Sequence, residues 1–286
     1  MSSLLLLNEK HSPSQNHLLA ALPTIDYQRL LPDLELVPMP ARFPLTRAGG
    51  QRDYAYFPTN CVVSKFYVMQ DGSTSAIALV GNEGMVGTSL IMGSASSPNH
   101  NIVLCAGYAY RIKAAALKRE FRQGIVLQSL VLRYTLSLIA QMAQTVACNR
   151  HHTVPQRLCR WLLLSEERLP LNQVDITQES MANMLGVRRE GVTVEVGKLQ
   201  QAGLINCTRG HITLLDRPAM EKRSCECYAA VKKESHRLLS YREAALSKRT
   251  LWSIPVREKA LAMRGTIPPG PPRNLAVSAT ATLESI

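Results

Sequence analysis

The sequence predicts an α+β fold with an N-terminal antiparallel β-roll, a long helix and a C-terminal winged helix–turn–helix. Three patterns support this prediction. From about residue 36 to residue 112, short β-prone segments alternate with turn signals, of which Asp71-Gly72 is the clearest hairpin signal. From 127 to 145, apolar residues recur at helical spacing. From 177 to 216, two short helical patterns separated by a glycine precede a hairpin pattern.

The elements follow from these local patterns in chain order. Five segments read as strands of the roll: Tyr54–Phe57, Val62–Met69, Ser75–Val80, Ile102–Leu104 and Ala109–Ile112. Four further segments read as helices: His17–Leu22, Ala114–Phe121, Gln156–Glu167 and Ala219–Ala245. The prolines and glycine of 268–272 and the Ser/Thr/Ala-rich end predict disorder, because such a segment buries too little apolar surface to offset its ordering entropy.

The predicted organisation has six parts. They are a disordered N-terminus (1–16), a β-roll (17–122), a dimerisation helix (123–149), a winged-helix domain (150–218), a C-terminal helix (219–245) and a disordered tail (246–286).

The long helix carries two apolar stripes where a single amphipathic face needs one. One stripe is Leu127, Val131, Tyr134, Leu138, Gln141 and Thr145; the other is Leu132, Leu136, Ile139, Ala143 and Val146. One stripe is expected to face the helix's own domain and the other a partner helix. We assign the first stripe to self-association because it keeps coiled-coil spacing. A helix wholly buried within a monomer is the alternative.

Charge and cysteine usage restrict the classes of function that the chain could have. The net charge is +12, and residues 123–286 carry 22 Lys/Arg against 13 Asp/Glu, so the basic half is expected to meet a polyanion. A basic protein without such a partner is the alternative. The sequence predicts neither a membrane span nor a secretory signal. Seven scattered cysteines fit reduced thiols in a cytoplasmic protein better than disulfides.

The helix–turn–helix prediction begins at Thr177, a good N-cap for a short helix over Gln178–Leu185. Gly186 suits a left-handed turn position. A second helix is expected from Arg188 to Ala202, with Val192, Val196 and Leu199 on its buried side. Its β-branched residues leave a strand as the alternative, but the apolar positions repeat at helical spacing, which favours the helix.

The second helix would enter the major groove of DNA with its N-terminus. Arginine can donate two hydrogen bonds to guanine, glutamate can accept a hydrogen bond from cytosine, and valine can contact the methyl group of thymine. A hairpin over Leu204–Thr208 and His211–Leu215 would place Arg209 at the tip of the wing. The predicted DNA-contacting residues are Gln178, Arg188, Arg189, Glu190, Thr193, Val194, Lys198, Arg209 and His211.

On these residues the sequence resembles the Crp/Fnr family of bacterial transcription regulators. The segments that carry the resemblance are Thr177–Val192 and Leu199–Ile205, with support from Tyr56-Phe57-Pro58, Arg133-Tyr134, Cys148-Asn149-Arg150, Arg157-Leu158, Arg160-Trp161-Leu162-Leu163 and Cys225-Glu226-Cys227-Tyr228. It covers about residues 15–235. It implies a cyclic-nucleotide-binding-like roll, a homodimer and a palindromic double-stranded DNA operator, and RNA polymerase is a further candidate partner.

The chain also departs from the family pattern. Gly87 is followed by Thr88, and Asn99-His100 stands where cyclic-nucleotide-binding members carry an arginine. We therefore expect no tight binding of cyclic AMP. The N-terminal cysteine cluster of the oxygen-sensing members is missing. Val194 and Gly191 replace a basic and a small hydroxyl residue, so the preferred operator is expected to differ.

No other pattern predicts chemistry. We expect no catalytic residues, cofactor or metal. Cys225 and Cys227, two apart on one predicted helix, would point to different sides, and Cys61 and Cys105 fit core positions. His151-His152 is expected to be solvated or capping. Two alternatives to the DNA-binding regulator stay open: a ligand-sensing protein whose roll binds an unidentified effector that controls DNA affinity, and a protein–protein module that reuses the winged helix.

Overall fold

The computed structural model describes residues 11–169, 173–208 and 210–240. It begins with a 3₁₀ turn at Pro13–Gln15 and two short helices, α1 (His17–Ala20) and α2 (Thr24–Leu30). Residues 11–16 are ordered, contrary to the prediction, because the buried Asn16 amide donates to the carbonyls of Pro58 at 2.9 Å and Gly84 at 2.8 Å. Residues 1–10 and the predicted tail at 246–286 lie outside the described residues.

Seven antiparallel strands form the roll in two sheets. The strands are β1 (Glu35–Met39), β2 (Pro44–Thr46), β3 (Tyr54–Pro58), β4 (Val62–Val68), β5 (Thr74–Val80), β6 (His100–Cys105) and β7 (Gly107–Lys113). One sheet has the order β1-β7-β3 and the other β2-β6-β4-β5. The five predicted strands are present, and β4 and β5 join through the expected Asp71-Gly72 hairpin. Strands β1 and β2 were not predicted, because each contains a proline, a residue that weakens a strand pattern.

The helical half starts with α3 (Ala114–Gln123), α4 (Ile125–His151) and α5 (Val154–Glu166). The winged helix then adds β8 (Gln173–Asp175), α6 (Gln178–Leu185), α7 (Arg189–Gln201), β9 (Ile205–Thr208) and β10 (His211–Leu214), with its sheet in the order β8-β10-β9. The described part of the chain ends with α8 (Arg217–Arg223) and α9 (Cys227–Leu239).

The single helix predicted over 219–245 is instead two helices. The Asp216 carboxylate caps α8 by accepting from the Ala219 amide at 2.9 Å. At the other end, the Ser224 hydroxyl donates back to the Glu221 carbonyl at 2.8 Å, which competes with continuation of the helix. The break leaves Cys225 outside α9 and Cys227 as its first residue.

The stripe assigned to self-association lies inside the chain's own core, which corrects that assignment. Its members Leu127, Val131, Tyr134, Leu138, Gln141 and Thr145 are each at most 4% exposed. The Gln141 side chain accepts from the Leu79 amide at 2.7 Å, which satisfies a backbone group at the free edge of β5. The Tyr134 ring packs on Gly84, where a Cβ atom would clash. These residues cannot meet a second copy.

The other stripe of α4 is the exposed one. Leu132, Leu136, Ile139 and Val146 are 53%, 49%, 48% and 68% exposed. The helix is therefore buried on one side and apolar on its open side. By length and composition α4 could cross a membrane, and it is the one such helix among the described residues.

The winged helix packs directly against the roll. The Thr74 hydroxyl on β5 donates to the Asn183 carbonyl at 2.8 Å, and the Arg42 guanidinium donates to the Thr177 hydroxyl at 3.0 Å. One apolar core joins strand residues such as Val62 and Leu79 to the buried faces of α5, α6 and α7. Helix α6 is thus held by the roll at both ends.

Candidate DNA-reading surface

The turn between α6 and α7 sets the angle at which the two helices cross. Thr177 caps α6 by accepting from the Ser180 amide at 3.1 Å. Gly186 ends α6 with φ 63° and ψ 42°, a left-handed conformation that penalises residues with a Cβ atom. Ala182 is buried, and its small side chain allows the close approach of the helices. The predicted turn chemistry is present.

Helix α7 divides into a buried and an exposed side as its periodicity predicts. Val192, Val196 and Leu199 are at most 4% exposed and anchor the helix to the core. Two glycines inside α7, Gly191 and Gly197, have no neighbouring atom near a Cβ position, so they face open space rather than a close packing contact. The strand alternative for this segment is wrong.

The N-terminus of α7 presents three charged side chains to solvent. Arg188 is its N-cap, Arg189 and Glu190 form its first turn, and all three are exposed. Their side chains form no hydrogen bond or ion pair with any residue that the structure describes. Because exposed arginines cost little when unpaired, these groups are free to bind an external partner.

The remaining predicted contact residues lie beside them. The Thr193 hydroxyl donates to Gln178 Oε1 at 2.7 Å, which links α7 to the start of α6. Val194 is 54% exposed and Lys198 pairs with Glu195 at 2.8 Å, both on the open side of α7.

On the wing, His211 lies 2.6 Å from a carboxylate oxygen of Asp175 on the unpredicted strand β8. A sequence signal for β8 is weak, since it spans only three residues. Arg209, the predicted wing-tip residue, lies outside the described residues.

A second group of cations lies inside the roll. Arg52 is 4% exposed and two of its guanidinium nitrogens, Nε and Nη2, have no hydrogen-bond partner in the described chain. Lys65 on β4 is 5% exposed and donates to Asn101 Oδ1 at 3.1 Å. Burial, and then the nearby charge of Arg52, lowers the pKa of Lys65 to about 7. No described carboxylate pairs with either cation. No periodic pattern predicts these two buried cations, because burial of a lone cation depends on the tertiary fold.

Three cysteines lie in the hydrophobic core. Cys61, Cys105 and Cys159 are at most 1% exposed. Burial raises the pKa of the Cys61 and Cys105 thiols to about 12 and that of Cys159 to about 11. These thiols are therefore protonated and unreactive at neutral pH. For Cys61 and Cys105 the structure agrees with the predicted core role.

Comparison with known proteins supports this geometry. Residues 156–223 match the family model of the Crp-like helix–turn–helix domain. A transcriptional regulator of the Crp/Fnr family from Eubacterium rectale has 18% identity and a TM-score of 0.55, covering 72% of this chain and 96% of its own. The protein has the Crp/Fnr fold. The predicted fold class and the predicted resemblance to the family are confirmed.

Two further solved structures are similar at low identity. FixK2 from Bradyrhizobium japonicum has 13% identity and a TM-score of 0.58, covering 67% of this chain and 98% of its own. The c-di-GMP-responsive global regulator CLP from Xanthomonas campestris has 16% identity and a TM-score of 0.54, covering 68% of this chain and all of its own. No curated protein sequence matches the chain.

Proposed function

We propose that this protein is a cytoplasmic, dimeric transcription regulator that binds a palindromic DNA operator with α7 in the major groove. The observation that carries the proposal is the exposed set Arg188, Arg189 and Glu190 at the N-terminus of α7, which has no side-chain partner among the residues that the structure describes. That end of the second helix enters the groove in helix–turn–helix proteins, and an arginine fork can read guanine there. Gln178, Thr193, Val194, Lys198, His211 and Arg209 complete the proposed contact set.

The exposed stripe of α4 supplies the proposed dimer interface. Leu132, Leu136, Ile139, Ala143 and Val146 step by four and three residues, the spacing of a coiled-coil seam. Large apolar side chains repeated along one exposed face mark an interaction surface. A two-fold axis along this seam would repeat α7 and so match a palindrome, in which half-sites lie about one helical turn apart.

The direct experiment is selection of bound fragments from genomic DNA, followed by a search for a shared palindrome. The double variant Arg188→Ala/Arg189→Ala should recover no enriched sequence. Arg122→Ala is the matched control, since it removes an exposed arginine from α3 and should leave the selection unchanged. Equal enrichment by the parent and the double variant would refute the assignment of the reading helix.

The dimer is tested separately by Leu136→Glu. Two glutamates facing each other across the seam would repel, so light scattering should show a monomer where the parent is a dimer. Leu127→Ala would not report on the interface, because Leu127 is buried in the chain. A dimeric Leu136→Glu protein would place the interface elsewhere.

A second candidate function is sensing of an anionic effector by the roll. Arg52 and Lys65 are buried cations that pair with no carboxylate of the described residues, an arrangement that an anion would stabilise. Lys65 lies on β4, whose hairpin partner β5 contacts α6 through Thr74. Strand β5 would therefore connect the strand that carries Lys65 to α6, the helix that positions α7.

Calorimetry with pyrophosphate, cyclic di-GMP and cyclic AMP tests this candidate. Binding of an anion should protonate Lys65, so at pH 8 it should be accompanied by proton uptake, which is measured in buffers of different ionisation enthalpy. The variant Lys65→Met should bind without proton uptake or not at all. Heat signals identical in the parent and Lys65→Met would rule out this site, and cyclic AMP is expected to bind weakly.

A further inference from the structure

Four potential metal ligands meet where the end of α4 approaches the start of α9. They are Cys148, His152, Cys225 and Cys227, and their ligand atoms all lie within 4.8 Å of one another. The sulfurs of Cys148 and Cys225 are 3.5 Å apart, and Cys227 Sγ is 3.5 Å from His152 Nδ1. Zinc bonded to sulfur at about 2.3 Å and to nitrogen at about 2.0 Å separates the ligand atoms of a tetrahedron by about 3.5–3.8 Å.

We propose that these four residues form a zinc site of the Cys₃His type. The backbone explains how distant parts of the chain build it. Cys148 lies in the last turn of α4, and His152 caps the end of that helix by donating its amide to the Cys148 carbonyl at 3.0 Å, which holds the two residues together. Cys225 lies in the break before α9 and Cys227 in its first turn, so the argument from a continuous helix, which separated the two thiols, does not apply.

The imidazole of His152 is oriented as a ligand requires. Its Nε2 atom lies 3.0 Å from a carboxylate oxygen of Glu226, which accepts the ring proton. This leaves the Nδ1 lone pair directed at the cluster. Histidines that bind metals characteristically donate their other ring nitrogen in this way, often to a carboxylate. The side-chain amide of Gln144 also donates to Cys227 Sγ at 3.0 Å, a contact that supports a negatively charged sulfur.

The charge of the surroundings matches an anionic zinc centre. Three thiolates and Zn²⁺ carry a net charge of −1. Arg160 is fully buried and interacts electrostatically with Cys148. Its Nη2 donates to Thr145, but Nε and Nη1 have no hydrogen-bond partner among the described residues. A buried cation without a counter-charge is costly, and the zinc–thiolate centre would supply that charge.

The site would join two elements that otherwise touch only through packing and a few polar contacts. Helix α4 ends in the hinge before the winged helix, and α9 follows the winged helix and returns along α4. Zinc would therefore fix the position of the DNA-reading domain relative to the long helix. Its soft sulfur ligands favour zinc over magnesium or calcium.

The experiment measures metal in the full chain purified under reducing conditions without chelators. Elemental mass spectrometry should find one zinc ion per chain, and the variants Cys148→Ser and Cys227→Ser should contain no zinc. Cys207→Ser is the control, because Cys207 lies on β9 away from the cluster. Chain stripped of metal should take up Co²⁺ and show the intense visible absorption of tetrahedral cobalt bound to thiolates.

A milder variant separates ligation from folding. Glu226 is exposed, so Glu226→Gln should fold normally, yet it should weaken zinc binding about 10–100-fold by loosening His152. Glu234→Gln on the same helix should have no effect. The proposal is overturned if the stripped parent chain binds neither Co²⁺ nor Zn²⁺, or if Cys148 and Cys225 are isolated as a disulfide that reductant converts to thiols unable to bind metal.

Discussion

Two regions of this protein hold cations that pair with no carboxylate in the part of the chain that the structure describes, and they do so in opposite surroundings. Arg188 and Arg189 stand in solvent at the start of α7, whereas Arg52 and Lys65 are buried in the roll. Water solvates the first pair, so these charges need no partner within the protein. The second pair has lost that solvation, and burial lowers the pKa values of both. Arginine and lysine side chains therefore indicate a binding surface at the start of α7, whereas in the roll their burial carries an electrostatic cost.

The largest expected effect is on the exposed pair. Arg189→Ala should weaken binding to the selected operator by about 1–3 kcal/mol and relax discrimination at one base pair, because a bidentate contact to a base carries that energy. Binding to scrambled DNA should change far less. Fluorescence anisotropy with both duplexes makes the measurement, and an equal loss on both would assign Arg189 to phosphate contacts instead.

The buried pair predicts a pH-dependent stability. The pKa of Lys65 falls from its ordinary 10.5 to about 7 on folding, so between these values the unfolded chain holds a proton that the native chain lacks. The contribution of Lys65 to the free energy of unfolding therefore rises with pH between about 7 and 10.5 and is lowest below pH 7. Lys65→Met removes the effect. Its stability relative to the parent should fall by at least about 1 kcal/mol from pH 7 to pH 10, a shift of about 2–4 °C in Tm.

The control for this prediction is Lys113→Met, an exposed lysine of β7. Thermal unfolding of both variants and the parent at several pH values makes the comparison. The slope with pH is the informative quantity, because Lys65→Met also leaves Asn101 Oδ1 without its donor at every pH. Parallel stability curves for Lys65→Met and the parent would show that Lys65 stays charged in the fold.

The difference between the regions also explains what the sequence could predict. The reading surface follows from local rules: a cap at Thr177, a left-handed glycine at Gly186 and an i, i+4, i+7 apolar repeat. Each rule acts within a few residues, and the structure matches it. The cations of the roll and the Cys148–Cys225 pair depend on contacts between residues far apart in the chain. Spacing alone does not report such contacts.

The long helix shows the same limit within one element. Periodicity identified two stripes, which are both present, but it could not tell which stripe the roll covers. Gln141 indicates which stripe is covered. A buried side-chain amide needs hydrogen-bond partners, and the free edge of β5 offers the amide and the carbonyl of Leu79. A polar residue in an apolar stripe was thus a sign of contact with a sheet edge rather than with a second helix.

The smallest expected effect tests whether all exposed cations of α7 act alike. Lys198 lies three turns into the helix and is held by Glu195 at 2.8 Å, so its charge is partly neutralised before DNA arrives. If Lys198 contacts a phosphate, Lys198→Ala should weaken binding to operator and to scrambled DNA equally, by a few-fold. The slope of log binding constant against log salt concentration should become shallower by about 0.9. Glu195→Gln should do the opposite and strengthen both, since it frees the lysine. Binding curves at four salt concentrations measure the slope. An unchanged slope in Lys198→Ala would confine DNA contact to the first turns of α7, where Arg188, Arg189 and Glu190 have no competing partner among the described residues.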